Sequence, residues 1–111
     1  MIQANELRIG NLVEYNGEVV NIVGITEEHP FINMITIDYL EYEEIRPIPL
    51  TKEIFKSIEN QLVKKGFSYS FYDGKITLYL SDVLELKSEY LHLLQNLYFA
   101  LTNTELTYEN I

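Results

Sequence analysis

Two dipeptides constrain this chain more than any other feature: Asn16-Gly17 and Asp73-Gly74, each set between runs rich in β-branched and aromatic residues. Both positions of such a pair tolerate the positive φ of a type I′ turn, so each predicts a two-residue β-hairpin. The first joins residues 11–15 to 18–23, and the second joins 67–72 to 75–80. In the second hairpin, strict alternation puts Phe67, Tyr69 and Phe71 on one face, and Ile76, Leu78 and Leu80 on one face of the partner strand. In the first, Leu12, Val20 and Ile22 fall on faces that must find cover.

A helix separates the two hairpins. Pro47 and Pro49 end the first β-rich region, because proline cannot donate to a ladder and pushes its predecessor toward extended geometry. Thr51 is then a good N-cap, Glu53 suits the positive end of the macrodipole, Lys64 and Lys65 suit the negative end, and Gly66 suits C′. With Ile54, Phe55, Ile58, Leu62 and Val63 at helical spacing, residues 52–65 are expected to be helical.

The other elements carry weaker signals. Gly24 allows a bulge before a loop over 26–30, residues 31–38 read as a third strand, and Glu43–Arg46 as a fourth. Residues 83–86 suggest a short strand. A second helix follows, with Ser88 as N-cap and a stripe of Tyr90, Leu91, Leu94, Leu97, Tyr98 and Leu101. Residues 105–108 look extended, suited to pairing with a sheet edge or to fraying. The expected fold class is α+β: a bent β-sheet or small SH3-like barrel over residues 1–48, then helix, β-hairpin and helix over 49–111, packed on it as one unit.

Composition narrows the function classes. At 111 residues the chain can bury one substantial core, and two independent ones would each be marginal. It has no cysteine, hence no disulfide, thiol nucleophile or cysteine-based zinc site, which fits a reducing cytoplasm. The opening residues lack a basic n-region and no apolar run approaches a bilayer span, so neither secretion nor membrane insertion is expected. The formal charge of −9 disfavours phosphate backbones. It is unevenly placed: nine acids against two bases in residues 1–50, hence −7, and eight against six in the remainder, hence −2.

Three stretches together carry a resemblance: Glu6-Leu7-Arg8-Ile9-Gly10-Asn11-Leu12-Val13, Ile48-Pro49-Leu50-Thr51, and Leu91 through Thr102, which reads LHLLQNLYFALT. With them the chain resembles a group of small uncharacterised bacterial proteins of prophage-like and other mobile regions, whose second helix usually reads HQLQNLYFALTG. Leu93 stands here for the usual Gln, Asn103 for the usual Gly, and Phe55 for a Trp common in the first helix, while Gly66-Phe67 is kept. The resemblance implies a mobile-element setting and brings no activity with it.

Candidate sites follow from side-chain chemistry. His92, Gln95, Asn96 and Phe99 share one face of the second helix and form a polar patch, to be read either as a partner surface or as amides satisfying neighbouring loop backbone. Asp38, Tyr39, Glu41, Tyr42, Glu43 and Glu44 mix aromatic anchors with charge, as interface hot spots do, and are read either as a docking site for a basic partner or as solvated surface. Glu27, Glu28 and His29 with the same acids lack the spacing of a calcium loop, and no zinc pattern is present, so no metal and no cofactor are expected. No nucleophile elbow, phosphate loop or dinucleotide fingerprint occurs, which argues against an enzyme.

The expected function is therefore that of a noncatalytic interaction protein with a protein partner. The alternative is a nucleic-acid-binding module, and the third reading is an enzyme of unknown type. Tyr69, Phe71, Tyr72 and Tyr79 would form the module's stacking platform, although only Lys64, Lys65, Lys75 and Lys87 are there to line a groove. Against that reading, Tyr69 and Phe71 would pack under the helices and Tyr72 and Tyr79 would pair across the strands. A homodimer is a further expectation, built on an edge strand or on the exposed side of the second helix.

Overall fold

The computed structural model describes residues 2–33, 37–79 and 85–108. The first hairpin forms as expected: β1 (Leu12–Tyr15) and β2 (Glu18–Ile25) pair antiparallel with Tyr15 opposite Glu18. Asn16 (φ 56°) and Gly17 (φ 82°) both occupy the left-handed region at its turn. Beyond Ile22 the register of β2 slips at Gly24, where an added Cβ would sit 3.4 Å from the Phe31 Cβ. The bulge bends the sheet at this point.

The run expected to be a third strand is two strands. β3 (Pro30–Asn33) and β4 (Ile37–Tyr39) double back on each other, with Phe31 opposite Tyr39, and residues 34–36 lie outside the described residues. A continuous β-rich run carries no sign of where it folds over when no Asn-Gly or Asp-Gly pair marks the place. Tyr42–Glu44 form a short 3-10 turn, leaving only Ile45–Arg46 as β5, against β1. The sheet order is β4-β3-β2-β1-β5. It is a curled, open sheet whose edges, among the described residues, are β4 and β5.

Helix α1 (Lys52–Lys64) begins where Thr51 Oγ1 accepts from Ile54 N at 3.3 Å, a cap that contributes about 1 kcal/mol. It buries Ile54, Ile58 and Leu62, while Val63 is exposed. The second hairpin, β6 (Ser68–Tyr72) and β7 (Lys75–Tyr79), pairs in the expected register around Asp73 and Gly74. Ile76 and Leu78 are fully buried, and Tyr69 and Phe71 pack against the same core. Leu80 lies outside the described residues. Tyr72 and Tyr79 are not a cross-strand pair: they oppose Lys75 and Ser68, and the Tyr79 hydroxyl lies 3.1 Å from Ser70 Oγ. They sit at opposite ends of the ladder, so no register that closes the Asp73-Gly74 turn brings them together.

Of the strand expected over 83–86, residues 83–84 lie outside the described ones; Glu85 and Leu86 belong to β8 (Glu85–Ser88), which adds to β7. Ser88 therefore sits in a strand and caps nothing; the N-cap of α2 (Leu91–Thr102) is Tyr90, without a side-chain cap bond. The helix ends at Asn103 in the left-handed conformation (φ 56°), a C-terminal geometry that Asn tolerates better than most side chains. Among the described residues, 103–108 pair with no strand. Leu106 is buried under α2, and Thr107 exchanges hydrogen bonds with the Gln61 amide, its N–H donating to Oε1 at 2.9 Å and its C=O accepting from Nε2 at 2.8 Å.

Two apolar clusters result. One holds Val13, Val20, Ile22, Ile32, Leu40 and Ile45 with Ile2; the other gathers α1, α2, Ile76 and Leu78, together with Leu12, Ile48, Leu50 and Leu106. Strand β1 belongs to both, because Leu12 and Val13 point to opposite faces and each finds a core. The segment after β5 is tied to the start of α2: Leu91 N donates to Ile48 O at 2.8 Å and Leu50 N to Glu89 O at 3.0 Å.

Candidate functional site

The polar face of α2 is turned inward, onto the N-terminal half. Gln95 is 2% exposed: its Oε1 accepts from Leu12 N at 2.8 Å, and its Nε2 donates to Leu106 O at 3.2 Å. Asn96 accepts from the Asn11 side chain at 2.7 Å and donates to Glu6 O at 2.6 Å. Asn11 Oδ1 in turn receives Arg8 N at 2.7 Å. These amides supply hydrogen bonds that the irregular 6–12 segment and the tail cannot obtain from a ladder. They join two segments far apart in sequence, and little of either amide is left for a ligand.

Arg8 completes this joint. Its guanidinium lies 4.2 Å from the centre of the Phe99 ring, pairs with the Glu105 carboxylate and donates to Gln95 O at 3.4 Å. Sequence reasoning placed Arg8 and Glu105 in no site, since nothing local links residues 97 positions apart.

His92 is 1% exposed. Its Nε2 lies 3.5 Å from Glu6 Oε2, and its Nδ1 has no partner among the described residues. Burial pushes its pKa below the ordinary histidine value, and the nearby Glu6 carboxylate opposes that shift. His92 is thus enclosed between α2 and the Ala4–Glu6 turn, with one ring nitrogen directed at Glu6. Among the described residues no group of three His, Asp or Glu side chains is arranged to hold a metal ion.

The acidic stretch divides. Asp38 lies in β4 opposite Ile32. Tyr39 is 60% exposed, with its ring 4.5 Å from that of His29 and 6.3 Å from that of Phe31. Tyr42 is committed internally, donating from its hydroxyl to Thr26 O at 2.7 Å. Glu41 and Glu44 form a reciprocal capping box around the 3-10 turn, Glu41 N donating to Glu44 Oε2 at 3.1 Å. The Glu41 carboxylate also lies 3.7 Å from His29 Nδ1, which is itself 3.2 Å from Leu40 O.

Pairing of β1 with β5 adds what the sequence did not suggest. Glu14 stands opposite Arg46, and Glu14, Tyr15, Glu43, Glu44 and Arg46 line one shallow depression of about 450 Å³ beside the Asn16-Gly17 turn. Three carboxylates and one guanidinium thus share a solvated shelf. Glu14 reaches it from 29 positions before Glu43, so only the strand pairing makes it a neighbour.

No family model, curated protein or solved structure matches this chain. Among the described residues, no helix is long and apolar enough to cross a membrane.

Proposed function

We propose that the protein is a noncatalytic accessory binding module of the cytoplasm that docks a basic protein partner on the acidic shelf between β1 and β5. The observation that carries this reading is the convergence of Glu14, Glu43 and Glu44 around Arg46, beside an exposed turn. The charge is local: the half that bears the shelf holds most of the chain's net negative charge. A patch of this kind raises the encounter rate with a cationic surface and loses its effect with salt. In the mobile-element setting that the resemblance implies, such a module would act by occupying a basic surface of another macromolecule.

The test is capture from a bacterial lysate at low salt by the wild-type chain and by a Glu14→Lys/Glu43→Lys variant. Glu41 and Glu44 are left intact because they cap the 3-10 turn. Loss of captured proteins in the variant, with salt elution of the same proteins from the wild type, is the expected result. Unchanged capture would falsify the shelf as the docking surface.

A second reading, a nucleic-acid-binding module, draws on the outer face of the second sheet, where Tyr72 is 83% and Tyr79 is 37% exposed and Lys75 and Lys87 are exposed as well. Aromatic faces flanked by lysines suit unpaired bases. Single-stranded oligonucleotide binding that steepens as salt is lowered and weakens in Tyr72→Ala supports it; a flat titration at low salt removes it.

A further inference from the structure

The second hairpin has one side unused. The order of its sheet is β6-β7-β8, so β6 is an edge. Tyr72 and Lys75 close the two-residue turn and form a hydrogen-bonded pair. Alternation then makes Ser70 with Thr77 and Ser68 with Tyr79 bonded pairs, and Tyr69 with Leu78 and Phe71 with Ile76 the non-bonded ones. The N–H and C=O groups of Tyr69 and Phe71 consequently point away from β7, and among the described residues nothing pairs with them.

Proteins protect such edges with charge, proline or a bulge. Ser68-Tyr69-Ser70-Phe71-Tyr72 has none of these. Along the same edge lies an aromatic cluster that the monomer only half covers: the Phe55 ring stacks on Phe71 at 4.9 Å and meets Tyr69 edge-on at 5.6 Å, with all three partly exposed.

We propose that β6 pairs antiparallel with β6 of a second copy of this chain, about a two-fold axis through Ser70. In that register Tyr69 of one copy faces Phe71 of the other, and each such pair exchanges the main-chain hydrogen bonds left free in the monomer. Ser70 meets its own equivalent, and Tyr72 lies over Ser68. A second copy is favoured over an unrelated peptide by the charges that flank the strand. Lys64 and Lys65 precede it and Asp73 follows it, so the antiparallel two-fold brings the Asp73 of each copy toward the lysines of the other. The half that carries β6 has a net charge of −2 against −7 for the first half, which makes this edge the less repulsive route to self-association.

Sedimentation velocity from low micromolar to submillimolar concentration is the test. The wild type should dimerise. Ser70→Lys changes an exposed side chain, sets like charges against each other across the axis, and should raise the dissociation constant about tenfold or more, while Ser70→Thr should not. Circular dichroism checks that both variants remain folded. Because the chain has no cysteine, Ser70→Cys gives an independent readout. Facing residues of a non-bonded pair have Cα atoms about 4.5 Å apart, so Ser70→Cys should form a disulfide dimer under mild oxidation and Ser68→Cys, opposite Tyr72, should not. A wild type that stays monomeric throughout, a dimer indifferent to Ser70→Lys, or equal cross-linking of the two cysteine variants overturns the proposal. A monomer that accepts an unrelated extended peptide on β6 overturns it in favour of strand donation by another protein. Charge reversal at Glu14 and Glu43 should leave the dimer intact, which separates this test from that of the acidic shelf.

Discussion

The two hairpins of this protein start from the same local chemistry and end in different situations. Each turns on an Asx-Gly pair with both residues at positive φ, but the first buries apolar residues from both of its strands, whereas the second buries Ile76 and Leu78 of β7 and only half-covers Tyr69 and Phe71 of β6. Yet β1–β2 is hemmed in by β5 on one side and β3 on the other, whereas among the described residues β6–β7 is joined only by β8. The first hairpin also depends on a side chain from elsewhere, since Gln95 receives the Leu12 N–H. Identical turns therefore set identical registers while the neighbours decide which strand is interior and which is an edge. An edge strand is open to a partner in a way that an interior one is not.

The largest effect should come from breaking the dependence of the first hairpin on α2. Gln95→Leu keeps the volume but leaves the Leu12 N–H and the Leu106 C=O buried and unpaired, and should cost about 3 kcal/mol in urea unfolding. If the two halves are one cooperative unit, fluorescence and circular dichroism will show this loss in a single transition. Separate transitions would make the hairpins independent.

A smaller effect is expected from pH. Because burial lowers the His92 pKa in the folded state, the unfolded chain binds the proton more readily near and below the ordinary histidine range. The contribution of neutral His92 is thus fully present above about pH 6.5, its unfolded value, and is lost as pH falls below it. Urea midpoints measured between neutral pH and pH 5 should fall in the wild type and fall less steeply in His92→Gln. Parallel curves would remove His92 as the cause.

The turns themselves should respond alike. Gly17→Ala and Gly74→Ala each force a Cβ into the left-handed region and should each cost about 1 kcal/mol by thermal or urea unfolding. A Cβ at Gly17 meets nothing within 4 Å and one at Gly74 meets Leu50 O at 3.7 Å, an ordinary contact. Markedly unequal losses would mean that packing and not φ governs one of the turns. The smallest effect belongs to Glu105→Gln, which weakens a partly exposed ion pair with Arg8 and should cost about 0.5 kcal/mol, less at high salt.

Much of this architecture was legible in the residues. Thr51, the spacing of Ile54, Ile58 and Leu62, and Gly66 mark α1 to within a residue, because capping and helical periodicity are local effects. The division of residues 31–38 into β3 and β4, and the delivery of Ser88 to a strand, were not legible, because no turn chemistry marks them. For the candidate sites the contrast is sharper. His92, Gln95 and Asn96 do share a face, as their spacing requires, but whether that face meets solvent or the 6–12 segment depends on how α2 docks. In the acidic stretch Tyr42 is drawn off to Thr26 and Glu41 and Glu44 cap the 3-10 turn, while Glu14 joins Glu43 and Glu44 through a strand pair.

The sequence by itself determined the two turns, the first helix and its caps, the α+β class and the concentration of acid in the first half, since each depends on a few neighbouring residues or on composition. Tertiary structure alone decided that β1 serves two cores, that the amides of α2 join the halves, that Glu14 meets Glu43, and that β6 is left as an edge. Those outcomes rest on contacts between residues dozens of positions apart, where loop closure and strand order, which no local preference encodes, select the partners.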